Sequence, residues 1–181
     1  ALVAPGVENN GIIEANMGNV VLASGNSATM DFKTLDFYGD ELINFTVDSP
    51  ASASKHPHIS NSGKIYASQG KVLITAQAAS GVVDDVVNVS GVIEARSAAK
   101  RGSVIILGGN NGKVHISGKI STRGKQGYGG GKVKIIGKTV ELASTSLINV
   151  SAKEHGNGGD VYIWGDNATY FDGTILAKGG S

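Results

Sequence analysis

A five-residue motif recurs along this chain, and its spacing constrains the fold more than any other feature. Each copy opens with Gly or Ser and carries Ile at its third position, as in GKIYA at 63–67 and GVIEA at 91–95. The copies begin at Gly11, Gly63, Gly91, Gly118, Ser146 and Gly173. The first interval of 52 residues leaves room for two repeats or for one repeat plus an excursion, and every later interval is 27 or 28 residues. Such a period is typical of solenoids, in which each repeat stacks on its neighbours.

Two further blocks accompany each copy. A second block follows the motif and begins at Gly18, Gly70, Gly102, Gly131 or Gly159. A weaker third block precedes it, with one residue four positions before the motif in each repeat: Val7, Ile59, Val87, Val114, Leu142 and Thr169. Apolar and polar residues alternate in these blocks and β-branched residues dominate, so each block is predicted to be a half-buried strand.

Stacking of the repeats explains why the same residue types return at the same positions. Equivalent residues in parallel strands of successive coils lie about 4.8 Å apart and form columns. We expect three inward columns, in which each buried side chain contributes roughly 1.5–3 kcal/mol. They consist of Ile13, Ile65, Ile93, Ile120, Ile148 and Ile175; of Val20, Val72, Val104, Val133 and Val161; and of Leu22, Ile74, Ile106, Ile135 and Ile163. The sequence therefore predicts an all-β fold, a parallel β-helix with three strands per coil of about 27 residues.

The whole chain, 1–181, is predicted to be one β-helical segment with an excursion at 26–58. Two apolar runs, 29–32 and 42–47, flank the turn-forming residues 38–40, which predicts an irregular coil or a hairpin outside the helix. A loop is expected at 48–58 and another at 124–131. Glycines at the strand starts are expected to supply φ values that other residues avoid.

Composition excludes several classes of protein. The chain has 27 glycines and no cysteine, so disulfides and thiolate metal sites are excluded. No apolar run is long enough to predict a transmembrane segment. The formal charge of +1 argues against a dedicated nucleic-acid binder. No signal peptide is visible, and the last residues interrupt a repeat, so we expect the chain to be part of a longer protein.

Several segments resemble the repeats of filamentous-haemagglutinin-type exoproteins. The resemblance covers nearly the whole chain in order as well as in motif. It rests on VENNGIIEA at 7–15, GNVVLASG at 18–25, DFYGDELINFTVD at 36–48, GGDVYIWGD at 158–166 and FDGTILAKGG at 171–180. The Asn-Pro-Asn-Gly signature of the family's secretion domain is absent. The resemblance therefore implies that this chain is the end of the secretion domain or the first part of the shaft beyond it.

The resemblance also implies a type of organism, an export route and a location, none of which composition indicates. Members of this family are very large proteins of Gram-negative bacteria, exported by two-partner secretion through a dedicated outer-membrane β-barrel transporter. They form long right-handed β-helical filaments at the cell surface or in the medium. Many are adhesins and virulence factors that contact host-cell glycans or receptors, and others are haemolysins, haem-acquisition proteins or contact-dependent toxins.

We predict no catalytic residue, no cofactor and no metal site. Some β-helices cleave polysaccharides with paired carboxylates, but Asp84 and Asp85 have no acidic equivalent one repeat away. Glu14 and Glu94 are equivalent, yet the corresponding residues of the other repeats are Tyr66, Ser121, Asn149 and Leu176. His56 and His58 could begin a metal site, but no third ligand lies at a suitable spacing, and His115 and His155 are expected to be isolated.

Two surface features allow more than one interpretation of their role. Outward lysines could form a basic stripe that meets sulfated glycans, or merely keep the surface soluble: Lys64, Lys71, Lys119, Lys132 and Lys134. Four Asn-x-Ser/Thr sequons are candidate glycosylation sites: Asn44, Asn88, Asn149 and Asn167.

The leading functional prediction is a non-enzymatic structural segment of a secreted surface filament that serves adhesion. The alternative is a carbohydrate-active β-helix that binds or cleaves polysaccharide along a groove. A third hypothesis gives this region a role in recognition by the export barrel. Because a solenoid presents unpaired strand edges at its last coil, we also predict end-to-end self-association.

Overall fold

The computed structural model describes residues 1–31, 44–49, 58–77, 85–98, 102–109 and 111–180. All regular structure within these ranges is β-strand. The first nine strands are β1 (Leu2–Ala4), β2 (Val7–Asn9), β3 (Ile12–Glu14), β4 (Val20–Ser24), β5 (Ser27–Asp31), β6 (Asn44–Ser49), β7 (Ile59–Asn61), β8 (Lys64–Tyr66) and β9 (Lys71–Ala76). The remaining strands are β10 (Asp85–Val89), β11 (Val92–Glu94), β12 (Ser103–Leu107), β13 (Lys113–Ile116), β14 (Lys119–Ser121), β15 (Lys132–Leu142), β16 (Leu147–Asn149), β17 (Asp160–Phe171) and β18 (Thr174–Leu176).

The strands stack as a parallel solenoid with three faces. The first face is a six-stranded sheet in the order β3, β8, β11, β14, β16 and β18. The second face contains β1, β4, β9, β12 and the N-terminal halves of β15 and β17, and the third contains β2, β7, β10, β13 and their C-terminal halves. The two long strands turn the corner between these faces, so the second and third faces form one ten-stranded sheet. The predicted parallel β-helix is confirmed.

The strand register confirms the predicted inward columns. Ile65 pairs with Ile93, Ile93 with Ile120, and the same column continues through the first face in both directions. The valine and leucine–isoleucine columns of the second face are likewise in register. Inner members such as Ile93 and Val104 have no solvent exposure, whereas Ile13 and Ile175, at the two ends of the first face, are only partly buried.

One residue predicted for the weaker third block, Leu142, lies two positions after the true equivalent. The residue opposite Val114 is Val140, and the predicted Leu142 instead lies opposite Ile116. Two residues separate β13 from β14, but four separate Leu142 from β16. The longer connection forms a turn closed by the bond from the Ser146 N–H to the Ala143 carbonyl, 2.8 Å. Counting back four residues from the motif at Ser146 therefore stops two residues short of Val140.

The 52-residue interval contains one turn of the helix and an excursion. Ile13 lies directly opposite Ile65, so the coils on either side of the interval are neighbours. Between them, β5 and β6 form a separate antiparallel pair in which Thr29 lies opposite Thr46. Of the two predicted alternatives, an irregular coil or a hairpin, this antiparallel pair favours the hairpin. Its central turn at 38–40 and most of the loop at 48–58 lie outside the described residues.

Glycine occupies the first corner of every coil except the one that begins at Ser146, and successive backbones approach closely at these glycines. A β-carbon on Gly118 would lie 2.6 Å from the Ser90 carbonyl carbon and closer still to the Gly91 oxygen. Gly91 and Gly63 are confined in the same way by the coils that precede them. The prediction that these glycines supply unusual φ values is wrong, because the positive-φ glycines among the described residues are Gly109, Gly127 and Gly156.

Candidate functional site: a basic groove on the first face

A groove of about 480 Å³ lies on the outer side of the first face. Its floor consists of outward side chains from three successive strands: Val92 and Glu94 on β11, Lys119 and Ser121 on β14, and Leu147 and Asn149 on β16. The register places Val92, Lys119 and Leu147 in one row and Glu94, Ser121 and Asn149 in the next. The floor therefore follows the helix axis across three coils.

The connection that follows β14 supplies one wall of the groove. Residues 123–126 line it, and Arg96 and Lys153 extend it from the equivalent corners of the neighbouring coils. Backbone hydrogen bonds fix this wall on both sides: the Lys125 N–H donates to the Ser97 carbonyl at 2.7 Å, and the Gly124 N–H donates to the Ser151 carbonyl at 3.0 Å. The wall is thus part of the stacked backbone.

Cations outnumber anions around the groove. Arg96 is neutralised by Glu94, since the guanidinium Nη2 lies 2.7 Å from the carboxylate Oε2. Lys153 contacts Glu154 at 3.3 Å. Lys119, Arg123 and Lys125 also line the groove, and for these three the part of the chain that the structure describes provides no ion pair. The groove therefore carries uncompensated positive charge.

The charge of the whole chain is segregated along the sequence. Residues 96–153 contain eleven of the 16 lysines and arginines but one of the 15 acidic residues, a formal charge of +10. The remainder of the chain carries five basic and fourteen acidic residues, a formal charge of −9. A net charge of +1 hides this basic segment, so net charge alone does not exclude a nucleic-acid partner. The segregation is the sequence signal that could have pointed to the groove.

The five predicted outward lysines do lie at outward strand positions, but they do not form one stripe. Lys64 and Lys119 lie on the first face with Val92 between them. Lys71, Lys132 and Lys134 lie on the second face, where Ser103 separates the first two. Lys132 is 3.9 Å from Asp160, and the Lys134 ammonium lies 5.8 Å from the Tyr162 ring centre. Of the five, Lys119 alone borders the groove.

Of the acidic candidates, Glu14 and Glu94 do not lie in neighbouring coils. Tyr66 lies between Glu14 and Glu94 in the register, and Ser121 follows Glu94, as the repeat predicted. Asp85 lies opposite Lys113, at a register shift within β10, rather than opposite Gly112. Asp84 and the side chain of Asp85 lie outside the described residues.

The histidines are placed in three different environments. His58 is buried, and its Nδ1 lies 3.3 Å from the Pro5 carbonyl oxygen; His56 lies outside the described residues. His115 is not isolated, because its Nδ1 is 3.7 Å from a Glu141 oxygen on the third face, whereas His155 is exposed. Within the described ranges, no group of three or more His, Asp or Glu residues could hold a metal ion.

One carboxyl on the third face has a shifted pKa. The Lys113 ammonium, 2.7 Å from Glu141, hydrogen-bonds the Glu141 carboxylate and lowers its pKa below the ordinary value of 4.5. Partial desolvation opposes this shift, while the charges of Lys113 and His115 add to it. Glu141 is therefore ionised through the neutral pH range.

The sequon asparagines differ in how accessible their amides are. Asn167 is exposed on β17. The Asn149 Oδ1 accepts a hydrogen bond from the Ser151 N–H at 3.0 Å, and the Asn88 Oδ1 is buried. The side chain of Asn44 lies outside the described residues. Glycosylation at these positions stays a prediction.

Comparison with known proteins assigns no family. No protein-family profile matches the chain, and no curated protein sequence matches it. The resemblance to filamentous-haemagglutinin-type exoproteins therefore stays a prediction. In the described ranges, no helix has the length and apolar character needed to cross a membrane.

Proposed function

We propose that this chain is a non-enzymatic structural segment of a secreted, surface-associated filament, in which it forms part of a stiff β-helical shaft. The continuous register of the three faces is the observation that supports the proposal. Each inner coil bonds to the coil before and the coil after it, and identical apolar columns fill the interior. Such a stack resists bending because distortion would break ladder bonds and separate packed side chains.

The biological setting follows from the sequence resemblance. We place the segment in a large adhesin of a Gram-negative bacterium, exported through an outer-membrane β-barrel transporter and exposed at the cell surface. In this role it holds recognition regions of the filament away from the cell. The lack of an acidic partner in the coils next to Glu14 and Glu94 supports a shaft over the polysaccharide-cleaving alternative, which needs paired carboxylates.

Deletion of one complete repeat tests the shaft role. Removing residues 92–118 joins Gly91 to Lys119, so β8 would stack directly on β14 and β9 on β15 in the existing register. A structural shaft should stay folded and exported after this deletion. Removing only 92–104 is the matched control, because it destroys the register and should abolish cooperative unfolding. Loss of folding in both variants would argue against a modular shaft.

Surface staining tests the proposed location of this segment at the cell surface. An antibody against this segment should label intact cells of the source bacterium and should fail to label a strain that lacks the transporter. Labelling that appears only after permeabilisation would overturn the surface assignment. The 92–118 deletion also tests the export hypothesis: undiminished secretion of the folded variant would count against recognition of this coil by the barrel.

A further inference from the structure

The groove on the first face concentrates positive charge that the described residues do not neutralise. Lys119 projects from the floor, and Arg123 and Lys125 belong to the wall. Arg96 and Lys153, which also line it, have carboxylate partners at 2.7 and 3.3 Å. A concave surface with an excess of one sign of charge raises the local concentration of oppositely charged ligands. The ligand class that this groove favours is therefore anionic.

The size and lining of the groove further narrow the class of ligand. Its volume of about 480 Å³ lies in the usual range for small-ligand sites. Ser121, Gln126 and Asn149 add neutral hydrogen-bonding groups beside the cations. Hydroxyl-rich ligands with spaced negative charges use both kinds of group.

The lining also disfavours single-stranded nucleic acid. Proteins that bind single strands stack bases on aromatic side chains in a basic channel. None of the described residues that line this groove is aromatic. The exposed Tyr162 and Trp164 lie on the second face, in β17. The groove therefore has the charge but not the stacking surface for bases.

We propose that this groove binds an acidic oligosaccharide, a short run of sugar units that carry carboxylate or sulfate groups. The oligosaccharide lies along the helix axis, across β11, β14 and β16, because these three strands supply the floor of the groove. The Arg123 guanidinium and the Lys119 and Lys125 ammonium groups contact its anions, and the polar floor residues contact its hydroxyls. This site goes beyond the shaft role and does not depend on it.

The test measures binding of labelled oligosaccharides to the folded chain by fluorescence anisotropy. The probes are a short heparin oligosaccharide, an oligogalacturonate that carries carboxylates alone, and a neutral malto-oligosaccharide. We expect both acidic probes, or one of them, to bind saturably and to weaken as salt is added, while the neutral probe does not bind. Binding of only one acidic probe identifies which anion the groove accepts.

A pair of charge-matched variants locates the site. The groove variant Lys119→Gln/Arg123→Gln/Lys125→Gln should weaken binding by about tenfold or more, since it removes charged hydrogen-bond donors. The control variant Lys64→Gln/Lys134→Gln/Lys138→Gln removes the same charge from positions outside the groove and should change affinity by less than about twofold. Thermal unfolding of both variants checks that each remains folded.

A variant that leaves the charge of the groove unchanged tests whether binding also depends on the shape of the groove. Ser121 is partly exposed on the floor, between Glu94 and Asn149 in the register, so Ser121→Trp should fill the groove and abolish binding. Equal losses in the groove and control variants would overturn the proposal, because they would indicate unspecific attraction to the basic segment. Failure of every acidic probe to bind, or preferential groove-dependent binding of a single-stranded oligonucleotide, would also overturn it.

Discussion

The corner glycines show how a single residue sets the distance between coils. Gly118 leaves no room for a β-carbon, because the backbone of Ser90 and Gly91 occupies that space. Gly11 holds the same position in the first coil, where a β-carbon would meet nothing closer than the Asn9 Oδ1 at 4.0 Å. At Gly63, Gly91 and Gly118 the backbone of the preceding coil therefore requires glycine, whereas the coil that follows the longer connection has Ser146 at this corner.

This difference gives a prediction for two equivalent glycines. Gly118→Ala should destabilise the fold by about 1–3 kcal/mol, because the coils must separate to admit the methyl group. Gly11→Ala should be neutral or stabilising by up to about 1 kcal/mol, because alanine reduces the entropy of the unfolded chain. Denaturant unfolding of the two variants measures both effects. Equal destabilisation would show that corner conformation, rather than coil contact, selects glycine.

The isoleucine column gives a second prediction at this scale. Ile120 has no solvent exposure, whereas Ile12, in β3, is 68% exposed. Ile120→Ala should lower the free energy of unfolding by about 2–5 kcal/mol, because it leaves a cavity between two coils. Ile12→Ala should change it by less than about 0.5 kcal/mol. Urea titration of both variants tests this contrast, and a large effect of Ile12→Ala would contradict the assigned register of β3.

Neighbouring strands of the third face are coupled through charge. The Lys113 ammonium on β13 contacts Glu141 on β15 at 2.7 Å and lowers the pKa of its carboxyl below 4.5. Since the folded-state pKa is the lower one, ionised Glu141 stabilises the fold above its unfolded-state pKa. This contribution is lost as pH falls through the lowered folded-state pKa.

Glu141→Gln should therefore remove part of the acid sensitivity of the fold. The variant should be less stable than the parent above pH 4.5, and the difference should shrink on acidification because protonation removes the same charge. Urea midpoints measured across this range test the prediction. In the Lys113→Met background the same substitution should have a smaller effect. A stability difference that does not change with pH would contradict the assigned ion pair.

The elements of the fold were more predictable than the groove. Strand positions and inward columns follow from alternation and repeat, because stacked coils demand the same residue types at the same places. Leu142 was misplaced because two extra residues lengthen the connection to β16 without interrupting the apolar alternation. The groove could not be read from the repeat, because connections of unequal length build its wall and a near-zero net charge hides the basic segment at 96–153.

At the scale of the whole molecule, the ladders of the described strands end in unpaired edges on both sides. On the first face, β3 and β18 each pair on one side only. Near β18, inward-facing side chains are incompletely covered: Phe171, which lies opposite the buried Leu142, is 48% exposed. Open edges beside exposed apolar side chains recruit further strands. We therefore predict that this segment associates end to end as its concentration rises, with the end surface around Phe171 as one contact.

Adjacent positions on β17 allow a matched test of that contact. Phe171→Lys places a charge on the end surface and should shift the association to higher concentration. Tyr170→Lys is the control, because Tyr170 is 58% exposed and lies opposite Glu141 on the outer face, away from the end. Sedimentation velocity over a wide concentration range compares both variants with the parent chain. A parent that stays monomeric throughout would refute end-to-end association, and equal effects of the two substitutions would place the contact on the outer face.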